Sequence, residues 1–334
     1  MDADTAANSH SSASSGSGAL PLTPSRNVPS IKDFVFIKPI SRGAFGSVFL
    51  AKKTVTGDYY AIKVLKKADM VAKNQITNVR AERMILSTLD SPYVVKLFYS
   101  FQSRHSLYLV LEYLNGGDCA ALIKAMGTLD EKWALQYISE VTLGLEFLHS
   151  RNIIHRDLKP DNLLIDAHGH VKLTDFGLSR VGFLGRRNRG FETTHSTREK
   201  ATFVGTPDYL APESILSLGQ DGGVDWWALG VILYEFLYGI PPFHASTPDK
   251  VFENILYRRL SWPDDPDVSE AAMDLMDRLM KLDVASRLGH THDALEIKAH
   301  RWFDGVCWST IDQETPSFVP TTQSVEDTEY FDGR

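Results

Sequence analysis

The hydrophobic pattern of this chain changes period once, and the switch narrows the folds open to it. From residue 31 to 112, the runs "DFVFIKPIS", "GSVFLAKK", "YYAIKVLKK", "VKLFYSF" and "SLYLVLEYL" are β-rich. Turn residues separate the first three, so a small antiparallel sheet is expected. One run in this stretch, "QITNVRAERMILSTL" (75–89), has apolar residues at helical spacing and predicts a helix. After "NGGD" (115–118) the pattern turns helical, with a long amphipathic segment at 129–150, an apolar one in "VDWWALGVILYEFLYG", and a third at 268–282. The expected fold is α+β and bilobal. A β-rich lobe with one main helix covers 31–112, and a larger, mainly helical lobe covers 113–303. A polar Thr/Asp/Glu-rich tail, 304–334, is expected to lie over a surface. Residues 1–30 are Ser/Ala-rich, with too few apolar side chains to offset their ordering entropy, and disorder is expected there.

Composition excludes several classes. A length of 334 residues suits roughly two domains or one bilobal unit. A net charge of −7 gives no basic field for nucleic acid. Two cysteines, Cys119 and Cys307, are too few for a disulfide framework and read as inert thiols in a reducing compartment. No secretory signal is visible, and the longest apolar run, "WWALGVILYEFLYGI" (226–240), is too short for a membrane span. A cytoplasmic or nuclear protein without membrane or nucleic-acid partners is expected.

Chemistry concentrates in five short stretches. "SRGAFGSV" (41–48) places Gly43 and Gly46 between two strands, where bare backbone can approach phosphates or simply close a hairpin. "YAIKV" sets Lys63 inside an apolar strand, as an edge solubiliser or as a buried cation with a task, and Glu82 of the following helix is a candidate counter-ion. "HRDLKPDN" (155–162) crowds His, Arg, two Asp, Lys and Asn between apolar flanks, as a solvated turn or as chemistry. In the chemical reading, Asp157 accepts a proton from an attacking hydroxyl, Lys159 neutralises a moving phosphoryl group, and Asn162 offers a neutral oxygen to Mg²⁺. "TDFG" (174–177) adds Asp175, a carboxylate at a strand end suited to a metal bridging two phosphates. "GTPDYLAPE" (205–213) is a Pro-rich loop that, beside the other four, reads as a platform for a peptide.

Five such stretches in this order resemble the eukaryotic protein kinases. "DLKPDN" resembles the Ser/Thr class. "FVGTPDYLAPE", "VDWWALGVILYEFLYGIPPF" and a tail with "DTEYFD" resemble the AGC group. "ITNVRAERMIL", "YLNGGDCAALI" and "DFGLSR" are most similar to its Greatwall and microtubule-associated kinase branch, fungal Greatwall-like kinases included.

The resemblance implies a Ser/Thr kinase using ATP and Mg²⁺ in cell-cycle or nutrient signalling, with Asp157 as base, Lys159 beside it, and Lys63–Glu82 as the activating pair. Asn162 and Asp175 would hold Mg²⁺. Ile40, Ser41, Gly43, Gly46, Val48 and Ala61 would roof the ATP site, with Leu111 as gatekeeper, Glu112 and Leu114 at the hinge, Asp118 near the ribose, and Leu164 below. Tyr113 and Phe45 are aromatics near this pocket, and for Tyr113 packing and ligand contact stay equally open. Asp161, Thr206, Pro207, Leu210 and Glu235 would meet the peptide. Glu213–Arg287 and Asp225 would be scaffold, and His155 would pack near the Asp-Phe-Gly turn. Arg156 before the base implies an activation-segment phosphate, placed at Thr202 by an upstream kinase. Thr193, Thr194, Ser196 and Thr197 are alternatives. Partners would be protein substrates, with endosulfine-like phosphatase inhibitors suggested by the branch, and the chain would act as a monomer.

Three departures stand out. Ser41 replaces the first glycine of the roof motif. The segment 175–213 carries an extra basic stretch, "GRRNRGFETTHSTREK". The tail ends without a Phe-x-x-Phe/Tyr motif, so either another occupant is expected in the small-lobe groove or the chain is a fragment of a longer protein. The rival reading is a pseudokinase scaffold that binds nucleotide without catalysis.

Overall fold

In the computed structural model, the described residues are 29–43, 46–181, 207–263, 267–321, 324, 326–328 and 330. The first lobe is built on a five-stranded antiparallel sheet of β1 (Phe34–Gly43), β2 (Gly46–Lys53), β3 (Tyr59–Lys66), β4 (Leu97–Gln102) and β5 (Ser106–Glu112), in the order β1-β2-β3-β5-β4. Pro39 donates no amide hydrogen bond, and it sits on the edge strand β1 beside a register shift between Pro39 and Ser41. On β3, Ala61 and Leu65 join the main core, while Tyr60 and Ile62 join an outer cluster with Phe34, Ala51 and Val110. Lys63 shares the parity of Ala61 and Leu65, so it faces inward, with Val48 and Leu109 as register partners. Gly46 is required by packing: a Cβ there would collide with the Val64 carbonyl oxygen of β3.

Two helices follow β3. The short α1 (Lys67–Ala72) is absent from the sequence reading, because six residues show too little of a helical period. The main helix, α2 (Ile76–Leu86), ends before the expected residue 89. There the Ser87 and Thr88 hydroxyls bond back to the carbonyls of Met84 and Ile85, as hydroxyl side chains do at helix ends.

The second lobe contains α3 (Cys119–Met126), α4 (Glu131–His149), α5 (Pro212–Ile215), α6 (Gly223–Tyr238), α7 (Pro248–Leu256), α8 (Glu270–Leu279) and α9 (Ala294–Lys298). Short ribbons pair β6 (Ile153–Ile154) with β9 (Arg180–Val181), and β7 (Leu163–Ile165) with β8 (Val171–Leu173). Helix α6 is apolar on every side, and such helices are buried. Trp226, Trp227, Leu229 and Phe236 are fully enclosed, and each such side chain contributes roughly 1.5–3 kcal/mol. Ser269 caps α8 through the Ala272 amide, and the helix closes at Leu279 instead of running to 282. Among the described residues no helix is long and apolar enough to cross a membrane. Cys119 is buried, which pushes its thiol upward, and Cys307 stands exposed.

The tail leaves the helical lobe and runs along its surface toward the cleft. Phe318 packs on Trp133 with ring centroids 5.9 Å apart. Gly169, at φ +91°, makes room for the crossing, because a Cβ there would strike the Phe318 carbonyl oxygen.

Candidate functional site

Three charged side chains from three elements meet beneath the sheet. Lys63 Nζ of β3 lies 2.7 Å from Glu82 Oε1 of α2 and 3.1 Å from Asp175 Oδ1 of the turn after β8. Burial works against the Lys63 ammonium, but the Asp175 and Glu82 carboxylates outweigh it and hold its pKa above the ordinary value. The Lys63 charge, in turn, holds the Asp175 carboxyl below the usual carboxylate range. Asp175 sits at φ +61°, uncommon for a non-glycine residue. The next residue, Phe176, is fully buried against His155 (centroids 5.1 Å apart), which fixes the turn from below.

The loop between β6 and β7 presents the second group. Asp225, buried on α6, accepts the backbone N–H groups of His155 and Arg156, both at 2.8 Å. These bonds hold Arg156 at φ +70°. His155 Nε2 lies 3.0 Å from the Thr174 carbonyl, so its ring serves the turn, and Asp157 is left for chemistry. Lys159 Nζ is 3.1 and 3.2 Å from the two Asp157 carboxylate oxygens. Asn162 Nδ2 donates to the Asp157 carbonyl (2.7 Å) and to Asp157 Oδ2 (3.1 Å). With its amide nitrogen so engaged, Asn162 keeps its carbonyl oxygen as a hard ligand.

A cavity of about 1010 Å³ joins the two groups. Ile40, Val48, Ala61, Leu111, Leu114 and Leu164 form its apolar walls, and Lys63, Glu82, Lys159, Asp161, Asn162 and Asp175 its polar end. Ser41, Glu112 and Asp118 also line it. An apolar slot closed by a few converging charges is the usual form of a small-molecule site. Asn162 and Asp175 supply oxygen donors, which fit Mg²⁺, and among the described residues no three His, Cys, Asp or Glu side chains group as a metal site.

A model of the protein kinase domain matches residues 34–303. The chain belongs to the protein kinase family. Relatives of this kinase domain include a probable serine/threonine protein kinase, IRE, of Arabidopsis thaliana, 51% identical over 95% of the chain and 29% of that protein. Serine/threonine-protein kinase cek1 of Schizosaccharomyces pombe is 43% identical over 92% of the chain and 30% of its own length. Serine/threonine-protein kinase RIM15 of Saccharomyces cerevisiae is 33% identical over 92% and 28%. The chain therefore spans under a third of each of these three proteins.

The remaining expected residues of the kinase domain divide three ways. Gly43 and Gly46 pair across the β1–β2 turn. Thr202 and Thr206 lie outside the described residues, as do Phe45 and the alternative phosphosites. Pro207 is buried and Leu210 half-buried just before α5. Tyr209 between them donates to Glu235 Oε2 at 2.6 Å. Burial pushes the Glu235 carboxyl up to about 7, against the Tyr209 bond and with help from the nearby Asp161 and Asp208 charges. Asp118 is only 2% exposed, and its Oδ1 caps α3 through the Ala121 amide, so at least half of this carboxylate does helix work. Arg287 donates to both Glu213 oxygens, at 2.5 and 3.0 Å.

Sequence reasoning missed the contribution of the tail. Phe318 and Tyr330 line the cavity. Tyr59 OH donates to Glu326 Oε1 at 2.6 Å, and Tyr113 OH donates to the Asp327 carbonyl at 3.0 Å. Tyr113 thus both lines the cavity and binds the tail. The stretch "DTEYFD" carries a resemblance, but nothing local in it indicates which side chain reaches the cleft.

Proposed function

We propose that this domain is an active serine/threonine protein kinase that transfers the γ-phosphoryl group of ATP to Ser/Thr hydroxyls of proteins. The observation that carries this reading is the junction of Lys63, Glu82 and Asp175 in one cavity with Lys159 and Asn162, beside Asp157. Phosphoryl transfer asks the protein mainly for positioning and charge stabilisation, and these residue types supply both. In the proposed step, the substrate oxygen bonds to the γ-phosphorus, the bond to the leaving diphosphate breaks, and the hydroxyl proton passes to Asp157. Lys159 offsets charge on the transferring group. Glu82 orients Lys63 toward phosphate oxygens. Asn162 and Asp175 would hold Mg²⁺, which neutralises phosphate charge when bound. Ile40, Val48, Ala61, Leu111, Leu114 and Leu164 would enclose the adenine, with backbone contacts from Glu112 and Leu114.

The same reading extends to substrates and control. The neighbouring carboxyls of Asp161 and Glu235 support a basic residue upstream of the acceptor. A tail crossing from the helical lobe to Tyr113 and Tyr59 supports the AGC-group, Greatwall-like assignment and a signalling role in cell-cycle or nutrient control. The substrates proposed are proteins, with small endosulfine-like phosphatase inhibitors the first to try. The domain is proposed to act as a monomer in the cytoplasm or nucleus, switched on by phosphorylation of Thr202, whose added charge Arg156 would meet.

The test is turnover with Mg-ATP and a positional-scanning peptide array. Wild type should phosphorylate basic Ser/Thr peptides. Asp157→Ala and Asp175→Asn should both abolish transfer, and only Asp175→Asn should weaken Mg-ATP binding. A folded wild type that binds Mg-ATP without turnover would leave the pseudokinase scaffold instead.

A further inference from the structure

The carboxylate that grips the proposed catalytic loop is itself gripped. His149, the last residue of α4, has a side chain only 2% exposed and a ring set between two acids. Its Nε2 lies 2.9 Å from Asp225 Oδ2, and its Nδ1 lies 2.8 Å from Asp293 Oδ1. An ionised carboxylate only accepts hydrogen bonds, so both ring nitrogens donate and His149 is an imidazolium. With Asp225 alone, a neutral ring protonated at Nε2 would serve equally well. Asp293 is what makes the charge obligatory.

Asp293 is unusual in its own right. It adopts φ +52°, ψ −135°, a conformation that strains an L-residue and suits glycine. Its side chain is 42% exposed, so burial of apolar surface does not account for it. Its carboxylate accepts a second bond, from Trp226 Nε1 at 2.7 Å. Trp226 adjoins Asp225 on α6 and meets the His149 ring edge-on, with centroids 5.2 Å apart and planes at 79°. The strained residue thus holds two groups that flank Asp225.

We infer that Asp293 is a positioning residue for phosphoryl transfer: through the His149 imidazolium and Asp225 it fixes the His155–Arg156 backbone that presents Asp157. The inference rests on the kinase reading above. Charge-assisted hydrogen bonds are roughly twice as strong as neutral ones; a neutral His149 could still donate from Nε2 to the buried Asp225, but only the imidazolium donates to Asp225 and Asp293 together and adds its own positive charge to both bonds. Burial alone would lower the His149 pKa, but hydrogen bonds and charge from Asp225 and Asp293 raise it to about 9. The other titratable side chains on the adjoining cavity, about 210 Å³, are Asp221 and His290.

The experiment compares Asp293→Gly, Asp293→Asn, Asp293→Glu, His149→Asn and the His149→Asn/Asp293→Asn pair with wild type in the full chain. Loss of one charge-assisted bond corresponds to about tenfold in rate. Asp293→Gly and Asp293→Asn should lower kcat by about that factor, with the KM for ATP nearly unchanged. Asp293→Gly should keep its melting temperature because it sheds the strain, and Asp293→Glu should regain part of kcat. The pair should be no slower than His149→Asn alone. Imidazole NMR at pH 8 should find His149 doubly protonated in wild type and singly protonated in Asp293→Asn.

Full kcat in Asp293→Gly, additive losses in the pair, or a neutral wild-type His149 at pH 8 would each overturn the inference. So would parallel loss of stability and kcat in all Asp293 variants without rescue by glutamate. A wild type without turnover sinks the kinase reading, and the positioning role with it. Losses confined to the variants leave that reading standing.

Discussion

Arg287→Met is the sharpest test of how the segment 207–213 is anchored. The guanidinium is completely enclosed. It donates to Glu213 at 2.5 and 3.0 Å, to the Gly223 carbonyl at 3.0 Å and to the Lys281 carbonyl at 3.0 Å, and it lies 5.1 Å from the Trp227 ring centroid. Methionine keeps much of the apolar stem and removes every donor. The Glu213 carboxylate, 9% exposed, is then a buried charge without its cation. Breaking a buried pair from one side costs about 3–5 kcal/mol. At roughly 2–4 °C per kcal/mol, melting should fall by about 6–20 °C. The double variant Arg287→Met/Glu213→Leu removes both charges, and such replacements are often neutral or better. Two bare carbonyls remain, each worth about 1–3 kcal/mol, so recovery should be substantial but incomplete. Urea denaturation followed by tryptophan fluorescence reads the loss in the single and double variants, since Trp227 lies against Arg287. A loss under about 1 kcal/mol in Arg287→Met would show that the buried-pair penalty does not apply here. A double variant as unstable as the single one would show that the stranded carboxylate is not the cause.

Four further outcomes are expected. His149 has a pKa of about 9 in the fold against 6.5 outside it, so its contribution is whole below pH 6.5 and is lost as pH rises through 9. Unfolding free energy should drop by roughly 3 kcal/mol across that window, and a profile equally steep in His149→Gln would refute the assignment. Ser41→Gly should change the KM for ATP only modestly, because Gly43 and Gly46 remain, and steady-state kinetics showing a large rise would implicate the Ser41 hydroxyl. Gly46→Ala drives a Cβ into the Val64 carbonyl oxygen and should destabilise by about 1–3 kcal/mol in thermal denaturation, whereas an unchanged melting point would mean the hairpin yields freely. Tyr113→Phe removes the bond to the Asp327 carbonyl, worth about 0.5–1.5 kcal/mol, and should raise both the KM for ATP and the protease sensitivity of the tail; no change in either would leave the tail contact without a role.

What could be read from the sequence, and what could not, follows from the range of the forces involved. Strand parity is local, and in the structure it turns Lys63 toward the same side as Ala61 and Leu65, whereas "YAIKV" alone left an edge cation and a buried one both open. Glu82 lies 19 residues away on the next long helix, close enough in sequence for the pair to be guessed. "HRDLKPDN" was legible because Asp157, Lys159 and Asn162 meet within five residues, a contact the loop makes with itself. Asp118 shows the limit of reading a residue by its neighbours' chemistry. The resemblance put it near the ribose, and the structure gives one of its two oxygens to capping α3. The partners of the tail in the cleft were illegible for a different reason. Tyr113 and Asp327 are 214 residues apart and Tyr59 and Glu326 are 267 apart, and no periodicity within either segment records the other. Asp293 was hidden twice over. Its contact with His149 spans 144 residues, and its positive φ is invisible in a sequence where glycine would have announced it. Local pattern therefore reaches the groups proposed to do the chemistry, while the groups that hold those in place are joined only when the chain closes on itself.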